Sequence, residues 1–279
     1  MKTKQPKGIL IPIGGAEDRI DRKEVLGRVI KESGKKNPLI CVISLATGNS
    51  KDAAKIYRKA FKSLDHTSVC FIHFDNRSDA DNKNDLKKLE NCDIVLFSGG
   101  DQLKLSSLLG GTRILSLIKE RYNNESKFVV AGTSAGAAAM SDTMIISGSS
   151  KDAMIKGELE LTNGLDFISS VFIDTHFTER GRFGRLIQTV TNNPGILGVG
   201  VGEDTAVVIS KGEILEVVGS GLAVIIDGTG ILYSDLAERE HGEVVTVEGI
   251  QMHILGPKKR FVLSEKKIHP GDKLSTNQK

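Results

Sequence analysis

Cysteine, net charge and long apolar runs are all scarce in this chain of 279 residues. Its three cysteines, Cys41, Cys70 and Cys92, are odd in number and contain no Cys-x-x-Cys pair. That spacing argues against a disulfide framework, a redox motif or a thiolate metal site. Cys41 and Cys70 fall in apolar runs, so reduced core thiols are expected. The apolar stretch Ile9–Ile13 ends at Gly14, too early for a signal-peptide core or a membrane span. A cytoplasmic protein without membrane contact is the expectation. With 38 basic and 35 acidic residues the formal charge is +3, which gives no electrostatic case for a nucleic-acid partner. Internal repeats, low-complexity tracts and proline-rich linkers are absent too. The chain therefore reads as a single domain over residues 1–279, large enough to bury a core without disulfide or metal support. A short polar tail, 270–279, is expected to be disordered.

What is present is alternation. Short β-branched runs at Ile9–Ile13, Leu39–Leu45, Val69–Phe74, Ile94–Phe97, Phe128–Ala131 and Val171–Asp174 are separated by longer amphipathic stretches. Several of these runs are apolar at nearly every position, as in strands covered on both faces. The pattern predicts an α/β fold with a mostly parallel sheet and helices on its faces. Asp21 and Glu24 have capping-box spacing ahead of Val25, Leu26, Val29 and Ile30, which predicts a first helix from near Asp21. Further helices are expected over 52–64, over 106–122 with a break at Gly110–Gly111, and over 179–192. From Val199 onward the runs shorten: Ala206–Ile209, Ile214–Val218, Leu222–Ile226, Val244–Val247 and Met252–Leu255. These read as antiparallel hairpins extending the same sheet.

The strongest chemical signal is Gly132-Thr-Ser134-Ala-Gly136, which follows an apolar strand and precedes a small-residue helix. A G-x-S-x-G sequence in that context is a nucleophile elbow, in which flanking glycines permit the tight turn and the serine hydroxyl stands above the sheet edge. The Ala135 amide would then face a developing oxyanion. His176, at the end of the run Phe172–Thr175, is the best placed of six histidines to act as base, because α/β sites form at the carboxyl ends of strands. Arg180, Arg182 and Arg185 crowd the same strand end, and guanidinium forks suit carboxylates. Cations in a first helical turn oppose the helix dipole, so Asp174 or a substrate carboxylate is needed as a partner. Upstream, Ser98-Gly-Gly-Asp-Gln102 ends another strand, and its Gly-Gly turn can aim the Gly100 amide as a second oxyanion donor. Gly14–Gly15 matches neither a dinucleotide fingerprint nor a Walker motif. No cofactor and no metal are implied.

Taken with Ile13-Gly-Gly-Ala-Glu-Asp18, Asp174-Thr-His-Phe177, Arg180-Gly-Arg-Phe-Gly-Arg185 and Glu203-Asp-Thr-Ala206, these motifs resemble the cyanophycinase family, relatives of aspartyl dipeptidase, over roughly residues 8–260. The resemblance implies a three-layer fold like that of class I glutamine amidotransferases, a homodimer, and a serine exopeptidase acting on β-aspartyl-linked bonds and releasing β-Asp-Arg dipeptides from cyanophycin. It makes Ser134 the nucleophile and His176 the base, and it assigns Gln102, Asp174, Thr175, Arg180, Arg182 and Arg185 to the substrate pocket. Thr175 departs from the family, which usually has glutamine there, and a lost amide contact can shift preference between related ligands. For the triad acid Glu203 is the first choice and Asp152 the alternative, since chain order does not define a triad. In this reading the hydroxyl attacks a β-carbonyl while the arginines hold the adjacent α-carboxylate. Two rivals remain, a dipeptidase for short aspartyl or isoaspartyl peptides and a noncatalytic binder of acidic peptides. A glutaminase would carry cysteine at the elbow.

Overall fold

The structure, a computed structural model, describes residues 5–148 and 150–270. Its first half alternates β1 (Ile9–Ile13), α1 (Glu24–Glu32), β2 (Ile40–Ile43), α2 (Ser50–Lys62), β3 (Val69–Ile72), α3 (Lys83–Asn91), β4 (Ile94–Phe97), α4 (Gln102–Leu109), α5 (Arg113–Asn124) and β5 (Val129–Thr133). These strands pair in parallel in the order β1-β5-β4-β2-β3. There follow α6 (Ala135–Ala138), β6 (Thr143–Ser147), β7 (Glu160–Asn163), β8 (Val171–Thr175), α7 (Phe183–Asn192) and β9 (Leu197–Val201). The remainder is β10 (Thr205–Ser210), β11 (Ile214–Gly219), β12 (Ala223–Asp227), β13 (Tyr233–Ser234), β14 (Val247–Glu248), β15 (Gln251–Leu255), β16 (Arg260–Val262) and β17 (Lys267–Ile268).

The C-terminal strands divide between two sheets. Antiparallel pairing of β10, β11, β16 and β17 extends the parallel strands beyond β1 into a nine-stranded sheet. A separate four-stranded sheet has the order β15-β12-β9-β8, with β8 and β9 parallel. The expectation of one continuous sheet containing Val171–Asp174 is corrected accordingly. Within that second sheet β8 is buried along its whole length and is covered on both faces. Val171 and Ile173 pack toward the first sheet, whereas Phe172 packs against Leu186 and Val190 of α7.

Side-chain alternation along each strand decides the layers. Ile9, Ile11, Ile40, Val42, Ile94 and Leu96 pack with Val25, Leu26 and Val29 of α1 and with Tyr57 and Phe61 of α2. Their neighbours Leu10, Cys41, Ile43, Val95 and Phe97 turn the other way, toward α3, α4, α5 and the inner face of the second sheet. Each fully buried Leu, Ile or Phe contributes about 1.5–3 kcal/mol. The result is a three-layer α/β fold with helices on both faces of a mixed sheet, its N-terminal strands parallel and its C-terminal strands antiparallel. All three cysteines are free; Cys41 and Cys92 are buried and Cys70 is half-buried.

Local boundaries differ where a side chain other than the expected one takes the backbone groups. Helix α1 starts at Glu24, after Lys23 in the left-handed region (φ 49°) and without a side-chain cap. The acceptor upstream is Asp18, not Asp21, and its carboxylate receives the amides of Ile20, Asp21, Arg22 and Lys23 at 2.5–2.9 Å. Those bonds, from Asp21, Lys23 and Ile20 above all, hold Asp18 well below the usual carboxylate range. The stretch 106–122 divides at Gly110–Gly111 into α4 and α5, capped by Asp101 and Thr112 respectively. Helix α7 begins at Phe183 rather than Glu179, and the strand expected over Val244–Val247 is only Val247–Glu248. The tail beyond residue 270 lies outside the described residues.

Candidate active site

The glycine-rich turn after β1 joins three separate pieces of the fold. Ser134 N donates to the Ile13 carbonyl (2.9 Å), His176 N to Gly14 (2.7 Å) and Asp204 N to Gly15 (2.9 Å). Ser134 sits between β5 and α6 with φ 52° and ψ −115°, a conformation that costs an L-residue about 1–3 kcal/mol and persists only where the surroundings enforce it. His176 follows β8 directly and also has positive φ, 47°. Its Nε2 lies 2.9 Å from Ser134 Oγ, and its Nδ1 lies 2.6 Å from Glu203 Oε1. The imidazole rests against Gly15, where a Cβ would fall 2.3 Å from Cε1 and 2.4 Å from Nε2. Only a residue without a side chain leaves the ring in place.

With hydroxyl, imidazole and carboxylate in that order, the imidazole can take the proton of an attacking hydroxyl while the carboxylate orients the ring and stabilises its charged form. Of the two acids considered from sequence, Glu203 is the one at the imidazole. Asp152 is exposed, and its carbonyl accepts the Ile155 amide. Glu179 braces the same loop, accepting the Glu203 amide through Oε2 at 3.1 Å. Burial acts to raise the Glu179 pKa, yet bonds from Thr178 and from the amides of Glu179 and Glu203 hold it below its ordinary value.

Of the residues assigned to the substrate pocket, Asp174, Thr175, Arg182 and Arg185 cluster beside His176, whereas Gln102 opens α4 and Arg180 is exposed. Asp174 is buried and receives Arg185 on both oxygens, from Nε at 2.6 Å and from Nη2, with Arg182 Nη1 at 3.1 Å. Arg182 Nη1 also donates to the Thr175 carbonyl at 2.7 Å. Burial leaves the Arg182 guanidinium below its ordinary pKa despite Asp174. Asp174 is thus the internal partner that the arginines require. Gln102 Nε2 donates to the Ile145 carbonyl, and exposed Arg180 accepts Ser150 Oγ on its carbonyl at 2.8 Å. Loss of Arg185 would leave buried Asp174 with only one ion-pair bond, from Arg182, among the described residues, and an underpaired buried charge is costly. Arg185→Met is therefore expected to destabilise the protein by about 3–5 kcal/mol, read as a lowered midpoint in urea unfolding. An unchanged midpoint would mean that Arg185 is not structural.

Ser134 and His176 open onto a cleft of about 290 Å³ whose other walls include Arg19, Thr47, Asn49, Tyr57 and Gly99. A larger depression of about 930 Å³ near Phe167 and Lys211 contains no histidine, so chemistry rather than size marks the site. Arg19, Asn49 and Tyr57 were not singled out from sequence. Arg19 and Asn49 follow the carboxyl ends of β1 and β2, the same rule that selected His176 after β8. Among the described residues no group of three or more His, Cys, Asp or Glu side chains is placed to hold a metal ion.

The model of peptidase family S51 matches residues 9–217. The chain belongs to that family. Cyanophycinase from Synechococcus elongatus is 33% identical over 249 residues, covering 89% of this chain and 77% of the relative. That of Geminocystis herdmanii is 31% identical over 261 residues, 94% of this chain and 95% of the relative. For Trichormus variabilis the figures are 32% over 271 residues, 97% and 91%. A solved peptidase structure from an acI-B1 Actinobacterium superposes with a TM-score of 0.64 at 22% identity, covering 81% of this chain and 93% of that one, and supports the fold. As a member of S51 the protein is a serine-type peptidase.

Proposed function

We propose that Ser134, His176 and Glu203 form the triad of a cyanophycinase-like exopeptidase that releases β-Asp-Arg dipeptides from cyanophycin. The observation that carries this reading is the unbroken line from Ser134 Oγ through both imidazole nitrogens to Glu203, with separations of 2.9 and 2.6 Å. His176 accepts the hydroxyl proton as Oγ bonds to the scissile carbonyl carbon. Collapse of the tetrahedral intermediate breaks the C–N bond, and the imidazolium gives its proton to the leaving amine. Water activated by the same imidazole then breaks the acyl ester and frees the product carboxyl. The oxyanion is received by the amides of Gly100 and Ala135. In support, Ser98 N and Asp101 N are bonded to Ile43 and Ala46, whereas the Gly99 and Gly100 amides between them have no backbone partner among the described residues. The Ala135 amide, in the first turn of α6, has no intrahelical acceptor either.

Release of an intact β-Asp-Arg unit preserves its side-chain amide, so the bond cut is the one that joins one unit to the next. Attack on the β-carbonyl would instead part aspartate from arginine. The proposed wall on the β8 side consists of Arg180, Arg182, Gln102 and Thr175, with Asp174 and Arg185 holding it in shape. Incubation with insoluble cyanophycin, β-linked Asp-Arg oligomers and isoaspartyl dipeptides, followed by mass spectrometry, tests the reading. Soluble β-Asp-Arg from the polymer is expected. Cleavage of the short dipeptides alone would replace the polymer reading with the dipeptidase, and free arginine as first product would move the scissile bond to the β-linkage.

A further inference from the structure

Glu17 is a buried carboxylate outside the line of Ser134, His176 and Glu203. Its Oε2 accepts Thr133 Oγ1 at 2.6 Å, immediately before the strained Ser134. Its Oε1 accepts Arg19 Nε at 3.1 Å, Arg19 Nη2 at 2.7 Å and the Tyr57 hydroxyl at 3.2 Å. Burial, with the charge of Glu17 beside it, pushes the Tyr57 phenol well above its usual pKa, so the hydroxyl remains a donor. The Arg19 guanidinium also lies 5.0 Å over the Tyr57 ring. One edge of the Arg19 fork is therefore fixed from below.

The other edge is open. Arg19 Nη1 has no hydrogen-bond partner among the described residues, its side chain is 32% exposed, and it lines the cleft above Ser134. Asp52, the other charged wall of that cleft, has its Oδ2 occupied by Asn49 Nδ2 at 2.6 Å and makes no ion pair with Arg19 among the described residues. On the far side of His176, by contrast, Arg185 is spent on Asp174. A guanidinium held in one orientation with free N–H groups has already lost the freedom that ligand binding would otherwise cost, and such a group binds carboxylate oxygens with charge-assisted bonds.

We infer that Arg19, oriented by Glu17 and Tyr57, is a specificity residue that binds a substrate carboxylate in the Ser134 cleft. This rests on the reading of Ser134 as the nucleophile for aspartyl peptides. Within the polymer the aspartate α-carboxyl of a β-Asp-Arg unit is committed to the next unit, so the free carboxylate is that of the arginine, and its capture would set the unit beside the reacting hydroxyl. Thr133 and Tyr57 retain Glu17 when Arg19 is changed, so the elbow keeps two of its supports.

The test compares kcat/KM for a dimer of β-Asp-Arg units with that for the same dimer amidated at its arginine carboxyls, in wild type, Arg19→Gln and Arg19→Lys. The wild type should favour the free carboxyl by about 10–100-fold, the range for a charged hydrogen bond. Arg19→Gln should bring that ratio to near one, chiefly through KM, and Arg19→Lys should leave an intermediate ratio. Each ratio is taken within one protein, so a general loss of activity does not imitate the result. In parallel, the labelling of Ser134 by a fluorophosphonate is followed in the presence of succinate or succinamide. If the wild type cleaves neither dimer, yet succinate slows labelling more than succinamide and Arg19→Gln removes the difference, the carboxylate role stands and the proposed substrate falls. A wild-type ratio retained in Arg19→Gln, or no carboxylate preference in either assay, overturns the inference.

Discussion

Replacement of Ser134 by alanine should lower kcat by about 10⁴–10⁶-fold, the scale seen when a triad member that acts as part of a unit is removed. The same substitution should abolish labelling by a serine-directed fluorophosphonate. Stability should change little. The backbone at residue 134 is held by its amide bond to the Ile13 carbonyl and by the Ala137 and Ala138 amides that return to its own carbonyl, and alanine keeps all three. The circular dichroism spectrum and melting curve of the variant provide the control. Appreciable turnover by a purified, folded Ser134→Ala protein would remove the nucleophile assignment and the mechanism built on it.

Glu203→Gln should cost about 10⁴-fold in kcat, as expected when a triad acid is replaced by its amide. The carboxylate accepts from Nδ1 and so leaves Nε2 unprotonated and able to take the serine proton. An amide nitrogen turned toward Nδ1 would favour the opposite tautomer, with its proton facing Ser134. The loss should therefore appear in kcat more than in KM, and it should persist across pH. Asp152→Asn, on an exposed residue away from the imidazole, should leave turnover near that of the wild type. A reversed ranking, with Asp152→Asn crippled and Glu203→Gln active, would transfer the acid role to residue 152.

How far the fold could be read from sequence depended on how each strand satisfies its two faces. The parallel strands were legible because runs such as Ile40–Ile43 are buried along their full length and carry the β-branched signature of that environment. β9 was less legible, since its sequence Leu-Gly-Val-Gly-Val alternates glycine with apolar residues and glycine weakens any strand signal. Helix α3 was missed because only Leu86 and Leu89 of its nine residues are buried, too few to show a helical period. The assignment of β8 to a second sheet could not come from its composition: a strand covered on both faces looks the same in either sheet. At the site, Ser134 and His176 stood out through their strand-end contexts, and Glu203 through its motif. Arg19 and Tyr57 did not, because they are separated by 38 residues and their shared partner Glu17 brings them together only in the folded chain.

On the proposed triad, the division into two sheets ties the reactivity of one hydroxyl to the assembly of both. Ser134 ends a strand of the larger sheet, His176 ends a strand of the smaller one, and Glu203 lies in the crossover from β9 to β10 that leads between them. A growing polypeptide whose synthesis has passed Ser134 but not residue 176 carries an ordinary alcohol, because the histidine and glutamate of that triad have yet to be made. In the proposed triad the hydroxyl meets its base and acid only where the two sheets are joined, so loss of that junction would cost the reaction without touching Ser134 itself.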